Sequence, residues 1–496
     1  MTETSDQGKD PLVAGRREQH QKILESGGYP HRYDRTHLAD DLHRLFSDLA
    51  PGSETDTRVS VAGRLMLHRS FGKLQFGTLQ DVTGTIQLFV DRATLGDDGA
   101  NRFSEVDLGD WLGASGVIMT TRKGELSVRV DDFVVLQKSL RPFPDKWHGL
   151  HDIELRSRRR YVDLMVNEEA RNVARARTVV VAELRRQFET RGFIEVETPV
   201  LLREATGAMA RPFATHHHAL DMDMYLRIAT ELFLKRLVVG GMEKVFEIGR
   251  IFRNEGVDST HNPEFTMLEA YEAFADYTDM MTLVEEVIPE VARAVTGGTK
   301  VSYQGRELDL TPPLRRATMT DLVSERLGHP VDLDSDKGEL AGWAGELGIE
   351  VEEVWSQARL ISEIYEQAVE PEIWAPTLVT HQPVEVSPLA RRNPDDPRLA
   401  DRFELVVAGS EYANAFSELN DPDDQRERFE AQAVARAAGD LEAHPVDEDY
   451  LLALEYGLPP TGGLGIGVDR LVMLLTDQAH IREVILFPTL RPESQP

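Results

Sequence analysis

Two buried strands joined by a charged loop are predicted between residues 247 and 271. The segment EIGRIFRNEGVDSTHNPEFTMLEAY has an apolar run at each end, and its central loop carries His261. Alternate residues of a strand share a face, so we expect Arg253 to point the same way as Glu255, and Glu269 the same way as Tyr271. Buried charges need partners or a ligand. The pattern therefore predicts a hairpin beside a charged cavity. The alternative, a surface ion-pair ladder, is disfavoured by the apolar flanks.

Five short β-rich segments lie between residues 58 and 141, separated by Gly, Asp or Lys turns. This spacing predicts a five-stranded barrel of the OB type. Such barrels often bind single-stranded nucleic acid by stacking bases on aromatic rings. Phe76 could stack a base, while Gln87 and Glu125 could form hydrogen bonds with base edges. The alternative for Phe76 is a place in the barrel core.

The remaining pattern predicts an α+β protein with a large second domain. Residues 1–57 are expected to form a helical and linker segment, and the Pro-rich stretch 142–152 a connector. Residues 153–496 are then expected to form one domain. Helical periodicity marks 153–190, and the acidic stretch 272–370 is predicted to be largely helical, with a helical insertion around 320–370.

Strands return near the C-terminus. Residues 376–390 are predicted to be a strand pair interrupted by proline. Glu404 and Glu411 flank a tight Ala-Gly-Ser turn, and the alternating positions that follow share one strand face: Asn414, Phe416 and Glu418. The segment GLGIGVDRLVMLL (463–475) is a strand-to-helix turn, with Arg470 in the first turn of the helix. It lacks the third glycine and the βαβ context of a dinucleotide-binding turn, and the chain has no P-loop motif.

Composition narrows the class of protein. The 496-residue chain has no cysteine, which excludes disulfides, thiolate metal sites and a cysteine nucleophile. It has no apolar run of membrane-spanning length and no secretory signal pattern, so we expect a cytoplasmic protein without a membrane partner. The net charge of −30 disfavours general binding of polyanions. Arginines clustered at 156–160 leave open a nucleic acid bound in one defined pose.

The charged positions suit a nucleoside triphosphate with Mg²⁺. Arginine forks hold phosphate oxygens, and carboxylates bind Mg²⁺ that bridges phosphates. An aromatic ring can stack on adenine while an arginine covers its other face. The residues that supply these groups are Arg253, Glu255, His261, Phe265, Glu404, Glu411 and Arg470.

Several long motifs resemble the class II aminoacyl-tRNA synthetases. The segments FIEVETPVL, FRNE with HNPEF, and GLGIGVDR are similar to motifs 1, 2 and 3 of that class. The further segments TGAMARPF, YLRIATELFLKRLVVGG, PVEVSPLARRN and NAFSELNDP resemble the bacterial lysyl-tRNA synthetase family more closely. The resemblance runs from about residue 58 to residue 492. It implies an OB-fold anticodon-binding domain and a class II catalytic domain built on an antiparallel sheet flanked by helices. It also implies ATP-dependent ligation of lysine to tRNA(Lys) through a lysyl-adenylate.

The resemblance also implies roles for individual residues. Arg253, Arg470 and His261 would act in catalysis. ATP would be bound by Arg253, Glu255, His261, Asn262, Phe265, Glu404 and Arg470, with Mg²⁺ on Glu404 and Glu411. Lysine would be bound by Gly207, Glu231, Arg253, Glu269, Tyr271, Asn414, Phe416 and Glu418. The anticodon would be bound by Arg64, Phe76, Gln87 and Glu125. A homodimer is expected because motif 1 builds a dimer interface in this class.

Physical reasoning about specificity supports lysine as the substrate. Glu269 and Glu418 on neighbouring strands make a negative pocket that an ammonium group would neutralise, whereas a neutral or acidic side chain would leave the carboxylates unpaired. Three alternatives remain: a ligase that attaches lysine to a protein, a nucleic-acid-binding protein with an inactive catalytic fold, and a duplicated resistance copy. The barrel disfavours the first, and the retained charged residues disfavour the second.

Overall fold

The computed structural model describes residues 11–143, 150, 152–204, 206–437 and 445–492, without the side chains of 435–437. The chain divides into two compact units with a boundary between positions 149 and 150. The connector predicted at 142–152 lies mostly outside the described residues, as do the first ten residues of the predicted N-terminal segment.

The first unit is a closed five-stranded barrel with the strand order β1-β2-β3-β5-β4. Its elements are α1 (Pro11–Glu25), α2 (Ala39–Leu45), β1 (Glu54–Phe71), β2 (Leu74–Gln80), β3 (Thr85–Asp91), α3 (Arg92–Ser104), β4 (Trp111–Thr120) and β5 (Leu126–Gln137). Buried and less buried positions alternate strictly in β2 and β3. In β3 the buried positions are the apolar residues Ile86, Leu88 and Val90. The predicted barrel is confirmed, and α3 is an addition that the strand pattern did not reveal.

The second unit begins with three helices and a set of short strands. These elements are α4 (Ile153–Arg158), α5 (Arg160–Val166), α6 (Glu168–Thr190), β6 (Ile194–Glu195), β7 (Leu201–Leu202), β8 (Ala214–His217), β9 (Met222–Leu226), α7 (Glu231–Val239), β10 (Lys244–Phe252), β11 (Glu264–Ala273) and α8 (Tyr277–Thr296). The long helical stretch predicted at 153–190 is therefore three helices. Gly192 follows α6 with a φ of 85°, which a C-terminal cap requires.

The rest of the second unit returns to the same sheet. Its elements are β12 (Lys300–Tyr303), β13 (Arg306–Asp309), β14 (Arg315–Thr318), α9 (Met319–Leu327), α10 (Lys337–Glu346), α11 (Gln357–Ile364), β15 (Thr377–Thr380), β16 (Arg402–Val407), β17 (Ser410–Ser417), α12 (Pro422–Ala437), α13 (Glu448–Glu455), β18 (Thr461–Gly467), α14 (Val468–Leu475) and α15 (Ile481–Val484). A π-helical turn, Tyr365–Val369, follows α11. No helix in the described part of the chain is long and apolar enough to cross a membrane.

Two predicted segments differ from the structure. The stretch 272–370 contains three strands of four residues each, β12 to β14, and only β12 alternates between exposed and buried positions. The strand pair predicted at 376–390 is a single strand, β15, followed by a 3-10 turn at Val384–Val386. β15 ends at Thr380, the next residue, His381, has a φ of 60°, and Pro383 lies two residues further on. A left-handed residue and a nearby proline do not continue a ladder.

An eight-stranded sheet organises the second unit, with the order β14-β15-β16-β17-β18-β11-β10-β6. All neighbouring pairs are antiparallel except β14 with β15 and β10 with β6. One face packs on α6, α8 and α14, with Phe188, Val284, Leu464, Ile466 and Leu471 in the core between them. A separate apolar core lies under α9, α10 and α11. The predicted α+β class, with an antiparallel sheet flanked by helices, is confirmed.

Candidate active site

The predicted hairpin forms and borders a cavity of about 440 Å³. In β10 and β11, Ile251 pairs with Phe265 and Glu247 with Glu269. The strand β10 ends at Phe252, so Arg253 and Glu255 belong to the following loop and the prediction that they share a strand face was wrong. Both still line the cavity.

Two glycines in β18 create space in the middle of the sheet. Gly463 lies between Tyr271 of β11 and Phe416 of β17, and Gly465 lies between Glu269 and Asn414. All of these residues line the cavity. A Cβ on Gly463 would lie 1.8 Å from an oxygen of Glu418 and 2.7 Å from the Tyr271 ring. The glycines thus leave the sheet surface bare where side chains of both neighbouring strands converge.

The cavity brings together most of the residues that the sequence singled out. Those that line it are Gly207, Glu231, Arg253, Glu255, His261, Asn262, Phe265, Glu269, Tyr271, Glu411, Asn414, Phe416, Glu418 and Arg470. Glu404 is the exception. It is 9% exposed, does not line the cavity, and accepts a hydrogen bond of 2.6 Å from Arg402 Nη2.

One end of the cavity is rich in positive charge. The Arg253 guanidinium lies 5.2 Å from the centre of the Phe265 ring. Arg470 Nη1 donates to the main-chain oxygen of Glu411 at 2.8 Å, and Arg470 Nη2 lies 3.4 Å from Nε2 of His261. Guanidinium and imidazole groups grouped in this way suit the phosphate oxygens of a nucleotide.

Two aspartates hold this end in place. Burial would raise the pKa of Asp258, but hydrogen bonds from Thr260 and His261 lower it to about 2, so its carboxylate stays ionised and orients the imidazole. Asp469, at the start of α14, accepts a 2.6 Å hydrogen bond from the main chain of Thr266 and pairs with Arg177. These contacts tie the helix that carries Arg470 to the strand β11.

The opposite end is negative. Glu269 Oε1 accepts a hydrogen bond from the main chain of Thr230 at 3.2 Å, and the Tyr271 hydroxyl donates to Glu269 Oε2 at 3.5 Å. Burial, followed by the negative charge of Glu231, raises the pKa of Glu269 to about 7. Glu418 is 1% exposed, and its Oε1 has no hydrogen-bond partner among the described residues. Buried acceptors of this kind require a donor, which a bound cation would supply.

Two residues that the sequence analysis missed support this end. Arg402 lines the cavity, where its Nε donates to Asn414 Oδ1 at 3.1 Å and its Nη1 donates to Ser387 Oγ at 3.0 Å. Lys235 lies behind the cavity wall, fully buried, and contacts both Glu231 and Glu418. The helical spacing of Glu231 and Lys235 could have indicated their pairing, but no local pattern indicates the contact with Glu418.

In the barrel, the predicted anticodon residues lie on outward-facing positions of neighbouring strands or at a strand end. Phe76 of β2 pairs with Phe89 of β3, and the rings meet edge to face at 5.4 Å. Gln87, two residues before Phe89 on β3, donates a hydrogen bond to Ser127 Oγ of β5 at 2.9 Å. Glu125 is exposed just before β5. Arg64 of β1 stacks on Trp111 at 4.6 Å. Phe76 is thus half-buried on the outer surface, outside the barrel core.

Comparison with known proteins identifies the family. A model described as tRNA synthetases class II (D, K and N) matches residues 152–491, and a model described as an OB-fold nucleic acid binding domain matches residues 59–136. The chain belongs to the class II tRNA synthetases. The first match covers the unit that contains the cavity, and the second covers the barrel.

Curated relatives of this synthetase are similar over almost its full length. It is 53% identical to a lysine–tRNA ligase of Prochlorococcus marinus (strain MIT 9303) over 482 residues, which cover 95% of each chain. It is 54% identical to a lysine–tRNA ligase of Thermosynechococcus vestitus over 95% of each chain. It is also 54% identical to that of Nostoc punctiforme, over 95% of this chain and 86% of the relative.

The synthetase offers an acidic cluster beside the positive end of the cavity. Glu404 and Glu411 lie on β16 and β17, joined by a two-residue turn in which Ala408 and Gly409 both have positive φ. Burial, followed by the charges of Glu404 and Glu411, raises the pKa of Glu370 to about 8. No group of three or more metal-ligating side chains stands assembled among the described residues. Two carboxylates with phosphate and water oxygens fit the needs of Mg²⁺.

Proposed function

We propose that this synthetase ligates L-lysine to tRNA(Lys) with ATP, through a lysyl-adenylate. The observation that supports lysine most directly is the negative end of the cavity, where Glu231, Glu269 and Glu418 converge. Three buried carboxylates are tolerated only with cations to balance them. An amino acid with a second ammonium on its side chain meets that requirement, whereas aspartate or asparagine would leave a buried carboxylate unpaired.

The amino acid is then proposed to span the cavity. Its α-ammonium lies against Glu231 and the main chain near Gly207, and its ε-ammonium against Glu418 and Tyr271. Its carboxylate faces Arg253, at the junction with the positive end. This placement is supported by the distribution of charge, because each charged group of lysine meets the opposite sign.

In the first step, the lysine carboxylate attacks the α-phosphate of ATP and pyrophosphate leaves. Arg253 neutralises both the attacking carboxylate and the charge that develops on the phosphate, while Arg470 and His261 face the leaving phosphates. Phe265 stacks on adenine, and Glu255 accepts from its amino group, with Asn262 supporting the loop. Catalysis rests on positioning and charge stabilisation, without a protein nucleophile.

In the second step, the terminal ribose hydroxyl of the tRNA attacks the adenylate carbonyl and AMP leaves. Glu404 and Glu411 are proposed to hold Mg²⁺, which when bound offsets the negative charge of the phosphates. Glu404 would share its carboxylate between this ion and Arg402. The barrel is proposed to bind the anticodon through Arg64, Phe76, Gln87 and Glu125. The predicted cytoplasmic location fits a role in protein synthesis and stays a prediction.

The deciding experiment is ATP–pyrophosphate exchange with each amino acid in turn. We expect exchange with lysine, and not with aspartate or asparagine. Charging of a tRNA with the anticodon UUU should follow, and a tRNA with another anticodon serves as the control. Exchange that depends on aspartate or asparagine, and not on lysine, would refute the proposed specificity. Exchange with lysine but without tRNA charging would favour the alternative of a ligase that modifies a protein.

The proposed enzyme is also expected to be a homodimer with twofold symmetry, since motif 1 builds the subunit interface in this class. The matching segment, FIEVETPVL, contains the short strand β6 and ends at the first residue of β7. Ile194, Val200 and Leu201 are exposed in the single chain. Sedimentation equilibrium should give twice the chain mass of 55.7 kDa. A monomer at micromolar concentration would contradict the prediction.

A further inference from the structure

Lys235 is a buried ammonium group that the reaction described above does not use. It lies on α7, one turn after Glu231, and has no exposed surface. Its Nζ is 2.6 Å from Glu231 Oε1 and also forms an ion pair with Glu418 Oε2. The rings of Phe416 and Tyr450 lie 5.6 and 5.8 Å from Nζ. Lys235 is therefore enclosed by two carboxylates and two aromatic rings, just behind the cavity wall.

The ammonium is charged in this environment. Burial alone would lower the pKa of Lys235, but the negative charges of Glu231 and Glu418 raise it above its ordinary range. Burial raises the pKa of Glu418, and the Lys235 ammonium opposes that rise. A fixed positive charge thus lies between the two carboxylates that are proposed to receive the two amino groups of lysine.

The contact divides the oxygens of Glu418 between two uses. Oε2 forms the ion pair with Lys235, whereas Oε1 lies over Gly463 and has neither an ion-pair partner nor a hydrogen-bond partner among the described residues. Because Gly463 and Glu418 both line the cavity, Oε1 is the oxygen available to a ligand. Lys235 therefore fixes which oxygen of Glu418 faces a ligand in the cavity.

The charges at this end also match a dication. Burial raises the pKa of Glu269 and Glu418, and a bound ammonium group favours their ionised forms. In those forms, Glu231, Glu269 and Glu418 together with Lys235 carry a net charge of −2. Arg402 does not change this net charge, because the Glu404 carboxylate pairs with its guanidinium. Two substrate ammonium groups neutralise this charge. Without Lys235, the same carboxylates would leave an excess negative charge in a buried site, which is costly.

We propose that Lys235 is a positioning and specificity-determining residue: its ammonium holds one oxygen of Glu231 and one of Glu418, and leaves this end of the cavity with the charge that a diamino acid neutralises. The inference rests on the proposed lysine specificity. Lys235 acts through Glu231 and Glu418 together, so the part of its contribution that passes through Glu418 should disappear when Glu418 is changed.

The test compares two substitutions of Lys235. Lys235→Gln keeps a hydrogen-bond donor without the charge, and Lys235→Met keeps only the apolar stem. We expect the lysine KM in ATP–pyrophosphate exchange to rise in the order wild type, Gln, Met, by about tenfold or more for Met, with the ATP KM within about twofold of wild type. A residue that merely fills space would give Met values equal to or better than those of Gln. An unchanged lysine KM in the Met variant would overturn the proposal.

A double variant tests whether the effect passes through Glu418. Lys235→Met combined with Glu418→Gln should raise the lysine KM by less than the product of the two single effects, because interacting residues are not additive. A KM equal to that product would overturn the proposal. This double variant leaves fewer unpaired buried charges than Lys235→Met. It can therefore still be compared with Glu418→Gln if Lys235→Met alone does not fold. Thermal melts of each protein report folding.

A matched control separates these effects from a general loss of charge. Lys244 is on β10, where it pairs with Glu272 at 2.5 Å and does not line the cavity. Lys244→Met should leave the lysine KM unchanged. If the wild-type protein activates a different amino acid, the proposed function fails. The role of Lys235 is then judged from the ratio of variant to wild-type KM for the amino acid that is activated, and a ratio of one would overturn it.

Discussion

At the scale of single residues, the amino-acid end of the cavity depends on buried carboxylates whose partners come from distant parts of the chain. Glu418 follows β17, Glu269 lies on β11 and Glu231 begins α7. Each carboxylate alone would be unfavourable in this environment. A cationic substrate balances the charge of the grouped carboxylates. Substitutions of these residues should therefore affect substrate binding more than folding.

Glu418→Gln tests the proposed contact with the ε-ammonium. It keeps the shape of the side chain and removes the charge that pairs with the substrate, so the lysine KM should rise by roughly 100-fold while the ATP KM changes by less than about twofold. Steady-state ATP–pyrophosphate exchange measures both. Glu350→Gln, an exposed position, is the control. Unchanged lysine kinetics would remove Glu418 from the binding site.

Glu269 should make lysine binding depend on pH. Its pKa is raised from 4.5 to about 7, so the carboxyl group is mostly protonated below pH 7 and mostly ionised above it. Only the ionised form attracts an ammonium, and both amino groups of lysine stay protonated in this range. The lysine affinity should therefore increase with pH up to about 7 and then level off.

Isothermal titration calorimetry in buffers of different ionisation enthalpy measures this coupling directly. Lysine binding near pH 7 should release part of a proton from the wild-type protein, and Glu269→Gln should release less. Equal proton release by the two proteins would show that another group is responsible. His261, exposed at the opposite end of the cavity, remains in both proteins.

At the scale of one element, β18 owes its role to the alternation of glycine with apolar residues. Leu464 and Ile466 fill the core on one face, while Gly463 and Gly465 leave the other face open. Because the strand period is two, the same four residues serve packing and binding at once. The helix α14 continues directly from β18 and carries Arg470. The continuous segment of β18 and α14 therefore connects the two ends of the cavity.

Gly463→Ala should close the amino-acid end. Its Cβ would lie 1.8 Å from Glu418 Oε1, which is below any tolerated contact and displaces the carboxylate. We expect lysine-dependent exchange to fall by about 100-fold or more, with ATP binding retained. Equilibrium binding of a fluorescent ATP analogue and the exchange assay separate the two. Gly342→Ala, in α10 with open space around it, is the control and should remain active. A fully active Gly463→Ala protein would contradict the geometry.

At the scale of the whole molecule, the two proposed functions lie on different units. The cavity proposed for amino-acid activation is in one unit, and the barrel proposed to bind the anticodon is the other. Phe76, with Phe89 and Phe71 around it, forms an aromatic group on the outer barrel surface. Loss of one stacked base is expected to cost about 1–3 kcal/mol. A substitution in the barrel should therefore weaken tRNA use and leave amino-acid activation intact.

Phe76→Ala tests this division. The kcat/KM for charging tRNA with the anticodon UUU should fall by roughly 5- to 150-fold, in line with the loss of one stacking contact. Lysine-dependent ATP–pyrophosphate exchange should not change. Leu45→Ala, exposed in α2 of the same unit, serves as the control. Equal charging by the Phe76→Ala and wild-type proteins would exclude Phe76 from the anticodon site.

Much of the architecture follows from local patterns. The hairpin of β10 and β11, the five barrel strands and the turn from β18 into α14 each combine a clear period with recognisable turn residues. The short strands β12 to β14 did not emerge, since four residues are too few to establish a period. The end of β10 was also placed too late in the chain, with Arg253 and Glu255 still on the strand. A charged residue next to a strand gives no sign of where the ladder ends.

Periodicity and motifs that are contiguous in the chain were enough to predict the fold class, the family and most of the residues that line the cavity. How those residues pair became visible only in the folded chain. The fold placed Lys235 between Glu231 and Glu418, gave Glu404 to Arg402, and set Gly463 between Tyr271 and Phe416. The physical reason is that strand register and helix packing set the distances between side chains far apart in sequence, and no local pattern records those distances.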